Sequence, residues 1–267
     1  MIRDITLGQY YHADSVIHRM DPRVKLIATF VYIISLFVVD NLIGYGICFL
    51  FLAIAIGLSK VPVKFMVRGM KAIMFLLIVT VIFNLFLTPG EALVSFWKFK
   101  ITKEGVKMAF TMAVRLSMLI IGSSVMTLTT TPNNLTDGLE SVMKPLKKIK
   151  VPVHEIAMMM SIALRFIPIL LEETDKIMKA QIARGADFES GNLFKKAKSM
   201  VPLLVPLFIS AFRRANDLAM AMEARCYQGG EGRTKMKPLI YKKRDAIAYV
   251  IVVLFFAVCV LVGRILF

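Results

Sequence analysis

Residues 26–58 read LIATFVYIISLFVVDNLIGYGICFLFLAIAIGL, and Asp40 is the only charged residue among them. The stretch divides at Asp40-Asn41 into two apolar runs, Leu26–Val39 and Leu42–Leu58. Each is short against the roughly 20 residues that a membrane-spanning helix needs. Lys25 can extend its ammonium outward from the start of the first run, and Asp40-Asn41 suits a tight turn. The pair therefore predicts a helical hairpin in a membrane. Three further runs follow: Ala72–Thr88, ended by Pro89-Gly90; Met108 to about Thr130, with Arg115 inside it; and Ala246–Gly263. The composition agrees, with 57% hydrophobic residues against the 45–50% usual for soluble domains. An all-α integral membrane protein with about five transmembrane helices is expected.

The net charge of +16 fits either nucleic acid or an anionic membrane face. The apolar runs favour the membrane, because Lys and Arg concentrate at cytoplasmic span ends. Arg19, Arg23 and Lys25 precede the first run, and Lys60, Lys64, Arg68 and Lys71 separate the second from the third. Both segments are assigned to the cytoplasm. The Glu91–Glu104 loop then falls outside, although it carries Lys98, Lys100 and Lys103. Cys48, Cys226 and Cys259 are widely spaced, which argues against a disulfide framework or metal cluster. No cleavable signal peptide is expected in residues 1–23.

The interval 132–244 follows the fourth run and is expected to be cytoplasmic. The chain thus divides into a membrane domain at 1–131, a helical coupling domain at 132–244 and a last span at 245–267. About three helices are predicted in the insert. Thr131-Pro132 is a start signal, and Leu135, Leu139, Val142, Met143 and Leu146 fall on one face. A second helix runs from about Val153 to Arg184, stopped by Gly185. A third runs from about Leu193 to Arg225, with Pro202 and Pro206 inside it. Their apolar stretches are too short for independent spans and predict helices lying at the interface. Gln228–Arg244 is a linker.

The two long helices carry a weak internal repeat. Ala183-Arg184-Gly185 and Ala224-Arg225-Cys226 end them at an offset of 41 residues. At the same offset Glu172-Glu173 matches Arg213-Arg214, and Lys176 matches Asp217. Helices crossing in register would bring these opposite charges together. Arg at a helix C-terminus complements the helix dipole and offers a fork for carboxylates, and small neighbours admit a partner surface. Met158, Met159, Met160, Met178, Met200, Met220 and Met222 suit either core filling or an adaptable docking face.

Several chemistries are excluded. No phosphate-binding loop is present, since Gly229-Gly230-Glu231-Gly232-Arg233-Thr234 lacks both the spacing and the Lys. His154-Glu155 begins like a zinc-protease helix, but Met158 stands where the second His belongs. His12, His18 and His154 form no cluster. Neither a catalytic site, a metal nor a cofactor is expected. Arg115 and Asn84 are the notable polar residues in the spans. Arg115 reads as a functional group or as one that snorkels or pins the bundle.

His18-Arg19-Met20-Asp21-Pro22-Arg23-Val24-Lys25 resembles the Asp-Pro-Arg-x-Lys lead-in to the first span of energy-coupling factor transporter T components. Pro152-Val153-His154-Glu155 through Ile162-Ala163-Leu164-Arg165-Phe166-Ile167-Pro168 is similar to that family's long coupling helix, and the two Ala-Arg-x ends to its paired coupling motifs. The resemblance covers nearly the whole chain; Cys226 stands where another small residue is common. It implies a non-catalytic scaffold of an ATP-driven vitamin importer in the cell membrane. Two cytoplasmic ATPases would bind Ala183, Arg184, Gly185, Ala224, Arg225 and Cys226. One or more substrate-binding S components would dock on the apolar coupling helices, where Met158, Met159, Ile162, Leu204 and Phe208 are the candidate contacts. Two other readings remain: a conventional ABC permease subunit that forms the substrate path itself, and a membrane-anchored RNA- or ribosome-binding protein. The first needs more polar groups in the spans. The second needs exposed aromatics among the basic residues, so no nucleic-acid partner is expected.

Overall fold

The Asp21 carboxylate accepts the backbone N–H of Arg23 at 2.9 Å, and Pro22 takes the first helical position. This cap starts α1 (Pro22–Val38). In the computed structural model, which describes residues 10–96, 99–186, 188, 192–230, 232 and 236–265, the chain continues through α2 (Leu42–Ser59) and α3 (Val63–Leu87). An antiparallel hairpin of β1 (Ala92–Phe96) and β2 (Phe99–Thr102) leads to α4 (Lys103–Thr129). Then come α5 (Pro132–Met143), a 3-10 turn (Lys144–Ile149), α6 (Val153–Ala183), α7 (Leu193–Ala224) and α8 (Lys243–Ile265). The all-α membrane class stands, with the small hairpin added where a loop was expected. The expected Lys98 of that loop lies outside the described residues.

Contacts divide the described chain into two units, residues 10–139 with 239–265 and residues 140–238. In the first, Tyr32, Leu36, Cys48, Leu52, Met118, Val125, Phe255 and Cys259 form a buried core. Gly122 lets α4 approach α1, since a Cβ there would lie 2.5 Å from Cε1 of Tyr32. Phe30, Phe49, Phe75, Leu87, Val250 and Val253 are exposed on the outside. So much outward apolar surface is what lipid, rather than water, would cover.

The polar contacts fix how these helices run. The Asp21 N–H donates to Asp245 Oδ1 at 3.0 Å, tying the start of α1 to the start of α8. Asn41 Nδ2 donates to the Val262 carbonyl at 3.1 Å, tying the ends. The two helices are therefore parallel. Lys25 Nζ donates to the Thr129 carbonyl at 2.8 Å, which brings the end of α4 to the start of α1. Arg115 meets the α1–α2 turn, donating to the Val39 carbonyl (3.2 Å), Asp40 Oδ1 (2.8 Å) and the Tyr45 hydroxyl (2.9 Å). Arg115 thus pins α4 to the hairpin, as one of its two readings had it. The end of α4 and the start of α8 thus lie at one end of this unit, the end where α1 begins; the chain leaves the unit at Leu139 and re-enters it at Leu239.

By length and composition α2, α4, α6 and α8 suit a membrane crossing. The two parts of α3, Val63–Lys71 and Ile73–Leu87, meet at 63° and make a fifth if counted as one. α1 has 17 residues, about 26 Å at 1.5 Å each, slightly under the ~30 Å hydrocarbon core. α6 passes despite the expectation that its apolar stretch is too short, because Glu155 and Arg165 alone interrupt its first five turns. A lone crossing by α6 conflicts with the shared exit and return points.

Around α1 the lead-in motif is a clamp. The Arg23 guanidinium donates to Asp21 Oδ2 (2.8 Å) and the Leu239 carbonyl (3.0 Å), and lies over the Tyr241 ring at 3.7 Å. Burial pushes the Asp21 carboxyl up, but the hydrogen bonds from Arg23 outweigh it and hold the group below its ordinary value.

Candidate coupling ends on the paired long helices

α6 and α7 stop in the same way. After α6 the cap residue is Arg184, and Gly185 follows in the left-handed region at φ +86. The Gly185 N–H donates to the Ile182 carbonyl (2.9 Å) and the Ala186 N–H to the Gln181 carbonyl (2.9 Å). After α7 the cap is Arg225, and Cys226 takes the left-handed position at φ 55. Its N–H donates to the Glu223 carbonyl (2.8 Å) and the Tyr227 N–H to the Met222 carbonyl (3.0 Å). Both are Schellman closures. Each consumes the last carbonyls through backbone N–H groups, so neither Arg is needed to cap its own helix. Ala183, Arg184 and Gly185 are exposed, and so are Ala224, Arg225 and Cys226.

Of the charge pairs expected from the 41-residue offset, Glu173 with Arg214 is the one brought together, at the point where the two helices cross. Arg214 donates to Glu173 Oε2 at 2.8 Å, and the Ser210 hydroxyl donates to Glu173 Oε1 at 2.5 Å. An apolar cavity of about 260 Å³ beside it is lined by Ile162, Phe166 and Leu170 of α6 and by Ala215, Leu218 and Met222 of α7. Moving back along α6 from Glu173 thus moves forward along α7 from Arg214. The helices pack in opposite senses, and their C-terminal ends leave the crossing on opposite sides. Glu173 to Arg184 and Arg214 to Arg225 are both 11 residues, about 16 Å of helix each.

The candidate docking residues separate into two kinds. Met159 is 58% exposed, Phe208 61% and Leu204 45%. They stand with Met160, Val201, Val205, Ile209 and Phe212 as uncovered apolar side chains on the same helices. Met158 and Ile162 are half-buried, and Ile162 faces the cavity against α7. Pro168, Pro202 and Pro206 lie inside uninterrupted helices.

Other residues behave differently from their sequence reading. Leu135, Leu139 and Met143 of α5 are half-buried and Val142 and Leu146 exposed, whereas Thr136 and Gly138 are the buried members. A Cβ at Gly138 would lie 3.1 Å from the Cβ of Pro22, so close backbone approach rather than an apolar face seats the start of this helix. His154 pairs with Glu140, Nδ1 to Oε1 at 2.9 Å. Asp245 was not singled out by any motif, yet it is 1% exposed and accepts two backbone N–H groups, those of Asp21 and Lys242 (2.8 Å). Its place three residues after Lys242 is a capping-box spacing, the one signal that would have found it. Among the described residues no group of three His, Cys, Asp or Glu is arranged to hold a metal.

The fold defines a multi-pass membrane protein, with four helices long and apolar enough to cross and a fifth if the bent α3 is counted as one. The sequence matches the family described as cobalt transport protein, CbiQ, over residues 13–236. It is 58% identical over 250 residues, 93% of each chain, to the energy-coupling factor transporter transmembrane protein EcfT of Clostridium kluyveri. It is 52% identical over 267 residues, the whole of both chains, to that of Ruminiclostridium cellulolyticum, and 46% over 246 residues (92% of this chain, 93% of the relative) to that of Bacillus subtilis. The chain belongs to this family of transmembrane components of energy-coupling factor transporters.

Proposed function

We propose that the chain is the membrane scaffold through which two ATPase subunits drive a separate substrate-binding S component. The observation that carries this is the duplicated helix end. Arg184 and Arg225 follow identical backbone closures, are exposed, and stand at equal distances from one crossing. A guanidinium freed from capping duty is available to a carboxylate-lined groove on a partner. Two such ends on opposite sides of a crossing suit a pair of like subunits.

The uncovered apolar side chains of α6 and α7, Met159, Leu204 and Phe208 among them, form the surface offered to the S component. Methionine supports contact with more than one partner, because its flexible thioether repacks at little cost. The N-terminal segment before α1 and residues 132–244 are assigned to the cytoplasm. Supporting this are the basic residues beside α1 and between α2 and α3, and the common end from which the insert leaves and returns. In this reading ATP-driven approach of the two ATPases moves both Arg ends, and the crossing turns that movement into a change of the apolar surface. The chain has no catalysis of its own, and the vitamin is held by the S component.

The test is co-purification with the ATPases, wild type against Arg184→Ala plus Arg225→Ala, with vitamin uptake measured in parallel. Loss of ATPases or of uptake, in a double variant that still inserts and folds, is the expected result. Survival of both places the coupling contact elsewhere.

A further inference from the structure

In the membrane unit, α2 and α8 touch at one level and part at another. Cys48 Sγ and Cys259 Sγ lie 3.9 Å apart. About a turn further along α2, the Phe51 and Phe255 rings stack at 4.1 Å, and Tyr32 stacks on both at 6.0 and 6.2 Å. Beyond this aromatic floor a cavity of about 460 Å³ opens, walled by Leu52 and Ala55 of α2, Ala248 and Val252 of α8, and Val125 of α4. Its outer rim carries Ile54, Leu58, Ile247 and Ile251, all exposed on the lipid-facing surface. At the end where α1 and α8 begin, the lining changes to Lys25 and Arg244.

Those two cations lack a carboxylate partner among the described residues. Asp21 is engaged by Arg23, and Asp245 by the N–H groups of Asp21 and Lys242. Lys25 is 93% buried, and its Nζ reaches only two carbonyls, Thr129 (2.8 Å) and His18 (3.3 Å), leaving one of three N–H donors. Arg244 Nε is buried with no acceptor, and so is the Tyr32 hydroxyl on the cavity floor. Buried donors of this kind ordinarily find a partner.

We propose that this crevice binds one anionic phospholipid, with its phosphate on Arg244 and Lys25 and an acyl chain lying along Leu52, Ala55 and Val252. The charges stand at the span ends, where a headgroup lies, and the apolar wall runs inward from them. The lateral opening through isoleucines admits a lipid without passage through water. A free anion leaves the apolar wall unexplained. A partner helix is excluded by size, since one turn of a helix about 10 Å across fills about 420 Å³, nearly the whole cavity.

The purified full chain is exchanged into equal amounts of dioleoylphosphatidylglycerol and dioleoylphosphatidylcholine, and retained lipid is counted by native mass spectrometry. One phosphatidylglycerol per chain is expected, at about a tenfold preference, because phosphatidylcholine offers the same phosphate but brings its choline cation against Arg244 and Lys25. Arg244→Gln brings the two lipids to parity, and Arg244→Lys keeps the preference. Ala248→Phe fills the crevice and lowers retention of both; Ala55→Phe on the facing wall serves if the first variant fails gel filtration. Equal retention by the wild type, an unchanged preference in Arg244→Gln, or undiminished retention in a filled and folded variant overturns the proposal. So does displacement by millimolar inorganic phosphate, which makes the site one for a free anion.

Discussion

Asp245→Ala removes the acceptor that joins the starts of α1 and α8. The Asp21 N–H is buried where it donates to Oδ1, and the Lys242 N–H, donating to Oδ2, is partly exposed. An unmet buried donor costs ~1–3 kcal/mol, so about 2 for the first and about 1 for the second gives about 3 kcal/mol. For a chain of this size about 2–4 °C of melting temperature goes with each kcal/mol, so a fall of about 6–12 °C is expected. Asp245→Asn keeps one acceptor and turns an amide NH₂ toward the other donor, so it falls between. The assay is thermal melting of the detergent-solubilised chain, followed by the loss of its monodisperse elution peak. A fall under about 2 °C for Asp245→Ala, or an Asn variant no better than the Ala one, refutes the reasoning.

The two helix ends respond oppositely to matched changes. Gly185→Ala forces an L side chain into φ +86 and destabilises the end of α6 by about 1 kcal/mol, whereas Cys226→Gly relieves the same strain at φ 55; amide hydrogen exchange over residues 180–186 and 221–227 reads both. Arg115→Met lowers melting by several degrees, since a mostly buried cation with three acceptors is lost, while Asp40→Asn changes it by under 1 kcal/mol because Asp40 is exposed. Asp21 contributes stability above its unfolded value of 3.8. That contribution fades as pH falls through the lower folded value, and Asp21→Asn flattens the melting curve's pH dependence there. In a double-mutant cycle Glu173→Gln and Arg214→Gln couple by about 0.5–1 kcal/mol, the range for a partly exposed pair.

What the sequence made legible was whatever depends on contiguous residues. The Asp21-Pro22 cap, the Asp40-Asn41 turn and the two Ala-Arg-small ends are local patterns, and each places its boundary within a residue or so; the apolar runs name their helices but begin late, Ala72 against Val63 in α3 and Met108 against Lys103 in α4, because the helices continue into charged residues. The 41-residue offset named Glu173 and Arg214 as partners, but a constant offset assumes helices running in one sense, whereas these cross in opposite senses and only that pair is brought together. Features joining distant residues were hidden. Asp245 reads as one acid in a basic segment, and only the parallel docking of α8 beside α1 gives it the Asp21 N–H. The burial of Thr136 and Gly138 in place of the leucines of α5 depends on Pro22 lying against that helix. The crevice between α2 and α8 follows from where those helices part, which neither run encodes by itself.

The equal 11-residue arms bear on how coupling would work. Packing about Glu173–Arg214 is partly exposed and its ion pair is worth little, so the crossing resists rotation weakly. Yet the ion pair, the Ser210 bond and the side chains around the 260 Å³ cavity resist sliding, because a shift along either helix separates all of them at once. Such a joint pivots more readily than it translates. With arms of about 16 Å on both sides, equal displacements at Arg184 and Arg225 turn the helices about the crossing without dragging it. The apolar side chains of α7 between Val201 and Phe212, which precede the crossing on the same rigid helix, then swing in the opposite direction to Arg225. Under the proposed coupling, a partner resting on them would be moved by a change at the far end.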